Sequence, residues 1–279
     1  MLSILIPVLD GEHRLSRTLR AISAHGRTCE VIIIAAGVTQ ETTVVARRHR
    51  ALLVISPLSQ RAAQMNLGAA RASGHILLFL HADTVVPPNA LEEFESTLRN
   101  PRVIGGGFAR HYEPASAFLN ATCLLAEARS RMFDWFLGDQ AIFVRRDVFE
   151  RLGGFRNYDL FEDLDFARRM RREGQVVTLR PPVISSARRF EGEGALRKTL
   201  SDVWLTLRYL CGADPNQLAS EISGRPLPSR PAPHSQLDAL SLRASPTGHC
   251  KDEPCPSVGR YGPMGDSRLP SGRSSLRDL

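Results

Sequence analysis

Apolar and polar positions alternate in blocks along the first hundred residues. Short apolar runs favour buried strands at three places, namely Leu2 to Val8, Glu30 to Ile34 and Leu52 to Ile55. The stretches after them have apolar residues at helical spacing or are rich in alanine, which predicts helices over Gly11 to Ala24, Thr39 to Arg50 and Ser59 to Ala72. Strands that alternate with helices over short connections predict an α/β protein with a doubly wound, mostly parallel sheet.

Residues Gly74 to Pro87, with the sequence GHILLFLHADTVVP, form the next strand of this pattern and contain an acid. The run from Ile76 to His81 predicts a buried strand that places Asp83 just beyond its carboxyl end. Ligands of open α/β sheets bind at that edge, where a carboxylate beside an imidazole can hold a divalent cation against a diphosphate. The alternative is that Asp83 only caps the turn that follows it.

The pattern changes after Pro101. Val103 to His111 alternates and is rich in glycine, which is typical of a strand that another backbone approaches closely. Ala115 to Phe136 predicts a long helix, and Gly138 to Arg146 predicts a polar turn that leads into a strand. The apolar positions from Leu196 to Leu210 predict an amphipathic helix that packs on the domain or lies on a membrane, and packing is the commoner outcome.

Three acids, Glu162, Asp163 and Asp165, open a basic amphipathic helix that is predicted to reach Gly174. Carboxylates in the first turn of a helix interact favourably with the helix dipole and accept hydrogen bonds from its free N–H groups. These two effects alone can account for the acids, so the pattern leaves both a structural and a chemical role open.

The last part of the chain has a different composition. Residues Glu221 to Leu279 include 9 Pro, 10 Ser and 6 Gly, with Tyr261 as their single aromatic residue. Such a segment buries too little apolar surface to offset its conformational entropy. We therefore predict a folded domain over 1–219, with a nucleotide-binding half (1–100) and an acceptor half (101–219), followed by a disordered tail over 220–279.

Charge and motifs narrow the class of partner. The formal net charge is +7, yet the arginines are scattered over predicted helices and no nucleic-acid-binding motif occurs, so we expect no nucleic-acid partner. A basic surface also suits an anionic small substrate or an anionic membrane face. The sequence has neither G-x-G-x-x-G after the first strand nor a G-x-x-x-x-G-K-[ST] loop, so neither a common dinucleotide-binding fold nor a P-loop is supported.

Cysteine spacing and hydropathy bear on the compartment. The five cysteines lack the spacing of a zinc site, so reduced thiols of the cytoplasm are expected. The apolar start is too short for a secretion signal, and no run reaches the roughly 18 apolar residues of a membrane-spanning helix. We expect a cytoplasmic protein that can also lie on the cytoplasmic face of the membrane.

Several of these segments together resemble family 2 glycosyltransferases of the GT-A fold, over about Met1 to Ala219. The matching pieces are SILIPVLDGE, the segment from Arg61 to Ala69, LLFLHADT, GDQAIFVRR and the pair Glu162 and Asp163. RRFEGEGALRKTL and the later Leu-Cys-Gly resemble one bacterial branch, often labelled arsenosugar-biosynthesis or diaponeurosporenoate-type glycosyltransferase.

The resemblance implies a metal-dependent transfer of a sugar. The donor would be a nucleotide-diphosphate sugar, most simply a UDP-sugar, and the acceptor a hydroxyl or carboxyl group of a small or lipid-like molecule, with inversion. Asp83 matches the last acid of the family's D-x-D motif for Mg²⁺ or Mn²⁺, and His81 stands where the first acid often is. Asp163 matches the general base of the inverting members, and Glu162 supports it.

The same resemblance assigns further residues to substrate binding. Arg188 and Arg189 resemble a basic pair that meets the diphosphate, although a solvated basic surface explains them equally well. Those assigned to the donor or the acceptor are Pro7, Glu12, Arg61, Gln64, Asn66, Asp83, Gly138, Asp139, Gln140, Arg188 and Arg189.

One departure from the family pattern concerns the nucleotide. After the second strand the family commonly has V-D-G-G-S-x-D, whereas this sequence has alanine at position 35 in place of the acid that holds the base or ribose. Two alternatives follow, namely a related fold that binds a nucleotide sugar or a partner without turnover, and a nucleotidyltransferase. The second lacks its expected Gly-rich, Lys-bearing loop near the first strand.

Overall fold

The computed structural model describes residues 1–8, 14–26, 28–190 and 194–224. These residues belong to one compact unit built around an eight-stranded sheet of order β3-β2-β1-β4-β7-β6-β8-β5. In chain order the strands are β1 (Leu2–Val8), β2 (Cys29–Ala35), β3 (Leu52–Ile55), β4 (Ile76–Phe79), β5 (Thr84–Val85), β6 (Val103–Glu113), β7 (Phe143–Arg145) and β8 (Gln175–Ser186).

The described residues contain nine α-helices, of which the last two follow the final strand. They are α1 (Leu15–Ala24), α2 (Gln40–Arg48), α3 (Arg61–Arg71), α4 (Ala90–Leu98), α5 (Ala117–Phe133), α6 (Arg146–Arg151), α7 (Glu162–Met170), α8 (Ala195–Leu210) and α9 (Pro215–Ser223). Short 3-10 helices occupy Gly138–Gln140 and Ala187–Phe190. In the part of the chain that the structure describes, no helix combines the length and the apolar character needed to cross a bilayer.

Strands β1 to β4 run parallel to one another, and the other half of the sheet contains parallel and antiparallel pairs. β1 pairs in parallel with β2 and β4, and β2 with β3, so the carboxyl ends of these strands lie at one edge. β7 then runs antiparallel to β4 and β6, while β6 and β8 are parallel. The predicted α/β class is confirmed, with the antiparallel pairings of β7 and β5 as the departure from a fully parallel sheet.

The core lies on both faces of the sheet because alternate strand residues point to opposite sides. On β1, Ile4 and Ile6 belong to one buried apolar cluster, whereas Leu5 belongs to the other. On β2, Ile33 belongs to the first cluster, and its neighbours Ile32 and Ile34 belong to the second. Strands buried on both faces explain why the apolar runs of the sequence are nearly unbroken.

Element boundaries differ from the predicted ones where a backbone conformation stops the element. β1 and β3 have the predicted bounds. The long helix predicted up to Phe136 ends at Phe133, because Asp134 takes a left-handed conformation with φ 55°. The predicted tail began at residue 220, but α9 continues to Ser223 and ends at Gly224, which has φ 62°. The remaining 55 residues of the predicted tail, 225–279, lie outside the described part of the chain.

We predict that the Gly-rich start of β6 tolerates no side chain. A Cβ on Gly106 would overlap the backbone carbonyl of Val177 on β8, and one on Gly105 would lie 2.6 Å from the carbonyl oxygen of Phe143. Gly106→Ala should therefore destabilise the protein by at least about 2 kcal/mol in urea unfolding. Gly37→Ala is the matched control, because nothing lies within 4 Å of its Cβ position. Equal unfolding midpoints for the two variants would contradict the close approach of β6 and β8.

Candidate active site

A cavity of about 520 Å³ lies at the carboxyl edge of the parallel strands. Its walls come from the end of β1, the turn after β4, the 3-10 helix at Gly138–Gln140, the start of α7 and the end of β8, with the inner face of α8 closing one side. This is the edge at which α/β sheets bind ligands, because each strand ends there and the loops that follow can diverge.

Ten of the residues predicted for the site line this cavity, and their functional roles stay predictions. Glu12 lies outside the described residues. The ten are Pro7, Arg61, His81, Asp83, Gly138, Asp139, Glu162, Asp163, Arg188 and Arg189.

Asp139 is buried and paired with two residues that the sequence did not single out. Its Oδ2 accepts hydrogen bonds from the Arg110 guanidinium and, at 2.7 Å, from the Tyr112 hydroxyl. Burial is the largest single effect on the pKa of Asp139 and raises it, but the charge of Arg110, the Tyr112 hydrogen bond and the charge of Arg189 together outweigh burial and lower the pKa to about 2. The other oxygen, Oδ1, is buried and has no hydrogen-bond partner among the described residues.

The alternation of β6 held the signal for these two partners. Residues two apart on a strand share a face, so Arg110 and Tyr112 project to the same side. An arginine and a tyrosine on the same face of a strand provide two hydrogen-bond donors for an anion or a carboxylate. Only the placement of β6 relative to Asp139 shows which carboxylate that pair meets.

Asp163 is oriented by two backbone N–H groups. Its Oδ2 accepts from Gly138 at 2.5 Å, and its Oδ1 accepts from Leu164 at 2.6 Å. Burial raises the pKa of Asp163, while these two N–H donors act in the opposite direction because they favour the ionised form. The carboxylate thus has a fixed direction at the cavity wall and keeps acceptor capacity beyond the two backbone bonds.

Glu162 precedes Asp163 and has a different environment. It is buried, and its Oε1 lies 3.6 Å from a guanidinium nitrogen of Arg61, which is partly exposed. Burial and the neighbouring Asp163 carboxylate raise the pKa of Glu162 to about 7. Two adjacent buried carboxylates share the same surroundings, so their titrations are linked.

Asp165, the third acid of this helix, faces away from the cavity. Its two oxygens accept from Arg169 at 2.8 Å and from Arg156 at 3.2 Å, and Arg169 also donates to the backbone carbonyls of Leu152 and Gly154. Asp165 therefore fixes α7 to the preceding loop. The common helix-dipole explanation covers all three acids, but their side-chain partners are distinct.

The residue before α7 has a strained backbone. Phe161 has φ 64°, a left-handed conformation that is uncommon for a bulky residue, and its ring stacks on Tyr209 with centroids 4.9 Å apart. Such conformations persist only where the surrounding structure enforces them, and they are frequent at functional sites. This turn directs the start of α7, and with it Glu162 and Asp163, toward the cavity.

His81 lies against Gly138 and beside Asp163. A Cβ on Gly138 would lie 2.5 Å from His81 Nε2 and 3.3 Å from Asp163 Oδ2, so only glycine allows these two side chains to approach as they do. Burial and the charge of Arg61 lower the pKa of His81 to about 3, which keeps the imidazole neutral. Its Nε2 is buried without a hydrogen-bond partner among the described residues.

The donor set at this edge suits a divalent cation that takes most of its ligands from a substrate. Among the described residues there is no group of three or more His, Cys, Asp or Glu side chains arranged to enclose a metal ion. Asp83 supplies a carboxylate at the cavity, and the neutral imidazole of His81 has an unused nitrogen. One or two protein ligands with phosphate and water oxygens is the common arrangement for Mg²⁺ in phosphate chemistry.

Three residues predicted to bind substrate do not line the cavity, and their side chains form hydrogen bonds within the fold. The Gln64 amide donates to the carbonyls of Val8 at 2.7 Å and Ile34 at 2.9 Å, so it joins the carboxyl ends of β1 and β2. Gln64 is fully buried and does not line the main cavity. Both N–H groups of the Gln64 amide are therefore used within the fold, and the contact of Gln64 with the donor stays a prediction.

Asn66 and Gln140 also form hydrogen bonds within the fold, and their contacts with substrate stay predictions. The Asn66 amide donates to the Phe155 carbonyl at 2.8 Å and accepts from the Phe155 N–H at 2.9 Å. Gln140 is buried and donates to the carbonyl of Phe108 and the hydroxyl of Ser130. Both side chains satisfy buried backbone groups, which any compact fold must do.

The basic pair after β8 reaches the cavity from the side of α8. Arg188 and Arg189 line it, and Arg189 forms an ion pair with Asp202, which also lies 3.3 Å from Lys198. The alternative that this arginine pair only forms a solvated basic surface is therefore incomplete, because both arginines line the cavity. Lys198 and Asp202 were not predicted as site residues, and their inward position depends on how α8 packs.

Comparison with known proteins gives a family match. The family model described as glycosyl transferase family 2 matches residues 3–153, which is more than half of the chain. A comparison with curated proteins finds no match.

Solved structures share the fold at low sequence identity. A mannosyltransferase from Pyrobaculum calidifontis, in complex with GDP-Man and Mn²⁺, is 21% identical, with a TM-score of 0.57 over 79% of this chain and 68% of that one. TarS from S. aureus, residues 1–349 with UDP-GlcNAc, is 15% identical, with a TM-score of 0.53 over 69% of this chain and 59% of that one. Glucosyl-3-phosphoglycerate synthase from Mycobacterium tuberculosis, with Mn²⁺, UDP and glucosyl-3-phosphoglycerate, is 17% identical, with a TM-score of 0.51 over 76% and 80%. These likenesses confirm the predicted GT-A fold.

We predict that Glu162 makes stability depend on pH. A carboxyl group whose pKa rises on folding from 4.5 to about 7 stabilises the folded protein at low pH, and this stability is lost as pH increases through that interval. Glu162→Gln is neutral at every pH, so the melting temperature of the variant minus that of the wild type should increase between about pH 5 and pH 8. Glu150→Gln, at an exposed glutamate of α6, is the control. A difference that stays constant with pH would contradict the prediction.

Proposed function

Since this chain belongs to glycosyl transferase family 2, we propose that it transfers a sugar from a nucleotide-diphosphate donor to a hydroxyl or carboxyl acceptor, with inversion at the anomeric carbon. The observation that carries this proposal is the position of Asp163, whose carboxylate is held by two backbone N–H groups in the same cavity as Asp83. An acceptor base and a diphosphate anchor are the two groups that such a transfer requires.

Asp163 acts as the general base for a hydroxyl acceptor. As the acceptor oxygen attacks the anomeric carbon, its proton passes to an Asp163 oxygen, and the bond from that carbon to the diphosphate oxygen breaks with its electron pair. Proton removal by a positioned carboxylate typically contributes about 10²–10⁴-fold to the rate. The hydrogen bonds from Gly138 and Leu164 keep the carboxylate oriented before the acceptor arrives, which lowers the reorganisation needed in the transition state.

Glu162 and Arg61 support the base. The raised pKa of Glu162 lets this residue hold a proton near neutral pH, so the two adjacent buried acids need not both be charged. Arg61 lies 3.6 Å from Glu162 and lines the cavity, so its charge can also face the donor's phosphates.

In this proposal the donor's diphosphate binds beside Asp83. Asp83 and the neutral His81 are the residues that would hold Mg²⁺ or Mn²⁺, and a cation there would neutralise charge on the leaving diphosphate. Arg188 and Arg189 line the same cavity and supply positive charge on its α8 side. Two of the structurally similar proteins carry Mn²⁺ in complexes with GDP-Man or UDP, which supports a nucleotide donor here.

The donor base has fewer contacts than the family pattern provides. Ala35 ends β2 fully buried, at the register of Val8, so no carboxylate is available there for the base or ribose. A UDP-sugar stays the predicted donor, and a protein that binds the donor without turnover is the second candidate, favoured by this one position. The arsenosugar and carotenoid roles implied by the branch resemblance also stay predictions.

Nucleotide binding should require both a divalent cation and Asp83. By calorimetry, UDP should bind wild-type protein with Mg²⁺ or Mn²⁺ at least about tenfold more tightly than in EDTA, because the cation bridges the diphosphate to the protein. Asp83→Ala should abolish this metal effect. Asp147→Ala, at a surface acid paired with Arg151, should leave it unchanged. Equal UDP affinity with metal and with EDTA would refute the metal role.

Two acids of α7 should separate catalysis from stability. Asp163→Asn should keep the fold and the UDP affinity while turnover falls by about 10² or more, because an amide cannot accept the acceptor's proton. Asp165→Asn, the matched control two residues along the same helix, should weaken the ion pair with Arg169 and lower the melting temperature while the folded protein keeps its turnover. Donor hydrolysis and sugar transfer by both variants measure this.

Either of two results would overturn part of the proposal. Wild-type turnover in Asp163→Asn would remove Asp163 as the base. A wild-type protein that binds a nucleotide sugar but transfers none of the common ones would replace the enzyme proposal with the binding one.

A further inference from the structure

Helix α8 has two faces with different surroundings. Its inner face lines the cavity with Lys198, Asp202, Leu205 and Thr206. Its outer face carries five large apolar side chains that are between 50% and 62% exposed, namely Leu196, Leu200, Val203, Trp204 and Leu207. These five positions fall on one side of the helix because residues three, four and seven apart share a face. The amphipathic pattern of this helix is therefore inverted, with most of its apolar stripe directed to solvent.

Helix α5 contacts α8 and has a similar outer face. Its exposed apolar side chains include Phe118, Leu124, Leu125 and Met132, the last three of which are between 66% and 70% exposed. The two helices meet over a shared buried cluster that includes Leu119 and Cys123 of α5 and reaches Ala195 of α8. We define the α5–α8 surface as these nine exposed apolar side chains on the two neighbouring helices.

The five exposed apolar side chains of α8 lie three or four residues apart, so neighbours among them adjoin one another, unlike isolated exposed residues. A soluble protein exposes single apolar side chains routinely, but a contiguous patch of this kind marks a site of interaction with a protein or a membrane. The hydrophobic gain from covering it is proportional to its apolar area. A partner with a broad apolar face is therefore needed.

The charges around the α5–α8 surface are mainly positive. The two helices together contain five basic residues and two acidic ones. The acids are not directed to solvent as free charges, because Glu127 is shared by Arg131 and Arg180, and Asp202 pairs with Arg189 on the cavity side. Arg131 and Arg180 share the single charge of Glu127, which leaves one net positive charge at that group, and the exposed Arg197 adds a second basic residue.

Apolar side chains bordered by positive charge match the surface of a bilayer that contains anionic lipids. Trp204 lies within the apolar stripe, and tryptophan is favoured at the boundary between headgroups and acyl chains. A second copy of the chain fits less well, because a twofold interface would place the same basic residues of both copies near one another. We propose that the α5–α8 surface docks on an anionic lipid bilayer, with the two helices lying on the membrane rather than crossing it.

Docking would bring the cavity beside the membrane, because the inner face of α8 lines the cavity and its outer face is part of the α5–α8 surface. A lipid-like acceptor could then reach the cavity along α8 without leaving the interface. Access of a lipid-like acceptor rests on the proposed function, whereas docking on the membrane does not. Failure of vesicle binding is therefore distinguishable from failure of sugar transfer.

Vesicle sedimentation with the full chain tests the docking. Vesicles of phosphatidylcholine with about 30% phosphatidylglycerol should bind the protein at least about tenfold more strongly than phosphatidylcholine alone. The double variants Leu200→Gln/Leu207→Gln in α8 and Leu124→Gln/Leu125→Gln in α5 should each reduce binding at least about tenfold. The matched control is Val44→Gln/Leu52→Gln, which changes two side chains that are 57% and 49% exposed at the opposite edge of the sheet. This control should bind like the wild type.

Tryptophan fluorescence locates the contact. The chain has two tryptophans, so Trp135→Phe leaves Trp204 as the reporter. Its emission should shift to shorter wavelength on anionic vesicles, and Arg197→Gln or high salt should weaken the response about threefold or more.

Three results would overturn the proposal. The first is no binding to anionic vesicles, and the second is binding that the α5 and α8 variants leave intact. The third is a stable dimer in light scattering that the same variants dissociate, because the occupant of the α5–α8 surface would then be a second copy.

Discussion

Three carboxylates meet at one wall of the cavity, and each needs a partner that offsets the loss of water around its charge. Asp139 has the Arg110 guanidinium and the Tyr112 hydroxyl, while Asp163 has two backbone N–H groups. Among the described residues, the basic partner of Glu162 is the partly exposed Arg61 at 3.6 Å. The unequal partners explain why the pKa of Asp139 falls and that of Glu162 rises. Differences in burial and in hydrogen-bond partners, rather than in residue type, thus give neighbouring acids different pKa shifts.

Close backbone approach makes this arrangement possible. Gly138 donates its N–H to Asp163 and leaves room for the His81 ring, where a Cβ would touch both side chains. Gln64 fixes the ends of β1 and β2, and Asn66 fixes the loop at Phe155. The cavity wall is therefore rigid because buried amides satisfy the backbone behind it, and the side chains in front can keep their direction without a ligand.

Helix α8 connects the cavity to the outer surface. Its inner charged residues form ion pairs near the basic pair after β8, and its outer residues are apolar and exposed. Because one helix has both faces, any partner that covers the outer face of α8 lies next to the cavity. In an enzyme that acts on amphipathic acceptors this is an efficient arrangement, because the same element can bind the interface and border the reaction site.

The sequence by itself determined the elements and their order. Unbroken apolar runs such as Leu2–Val8 require a strand buried on both faces, and the strand that ends before Asp83 had to place that acid at the ligand edge. The tertiary structure decided which polar residues serve the site. Gln64, Asn66 and Gln140 face backbone groups rather than the cavity, while Arg110 and Tyr112, unassigned from sequence, hold Asp139. The physical reason is that a side-chain amide or guanidinium binds the nearest unsatisfied partner, and that partner is set by strands far apart in sequence.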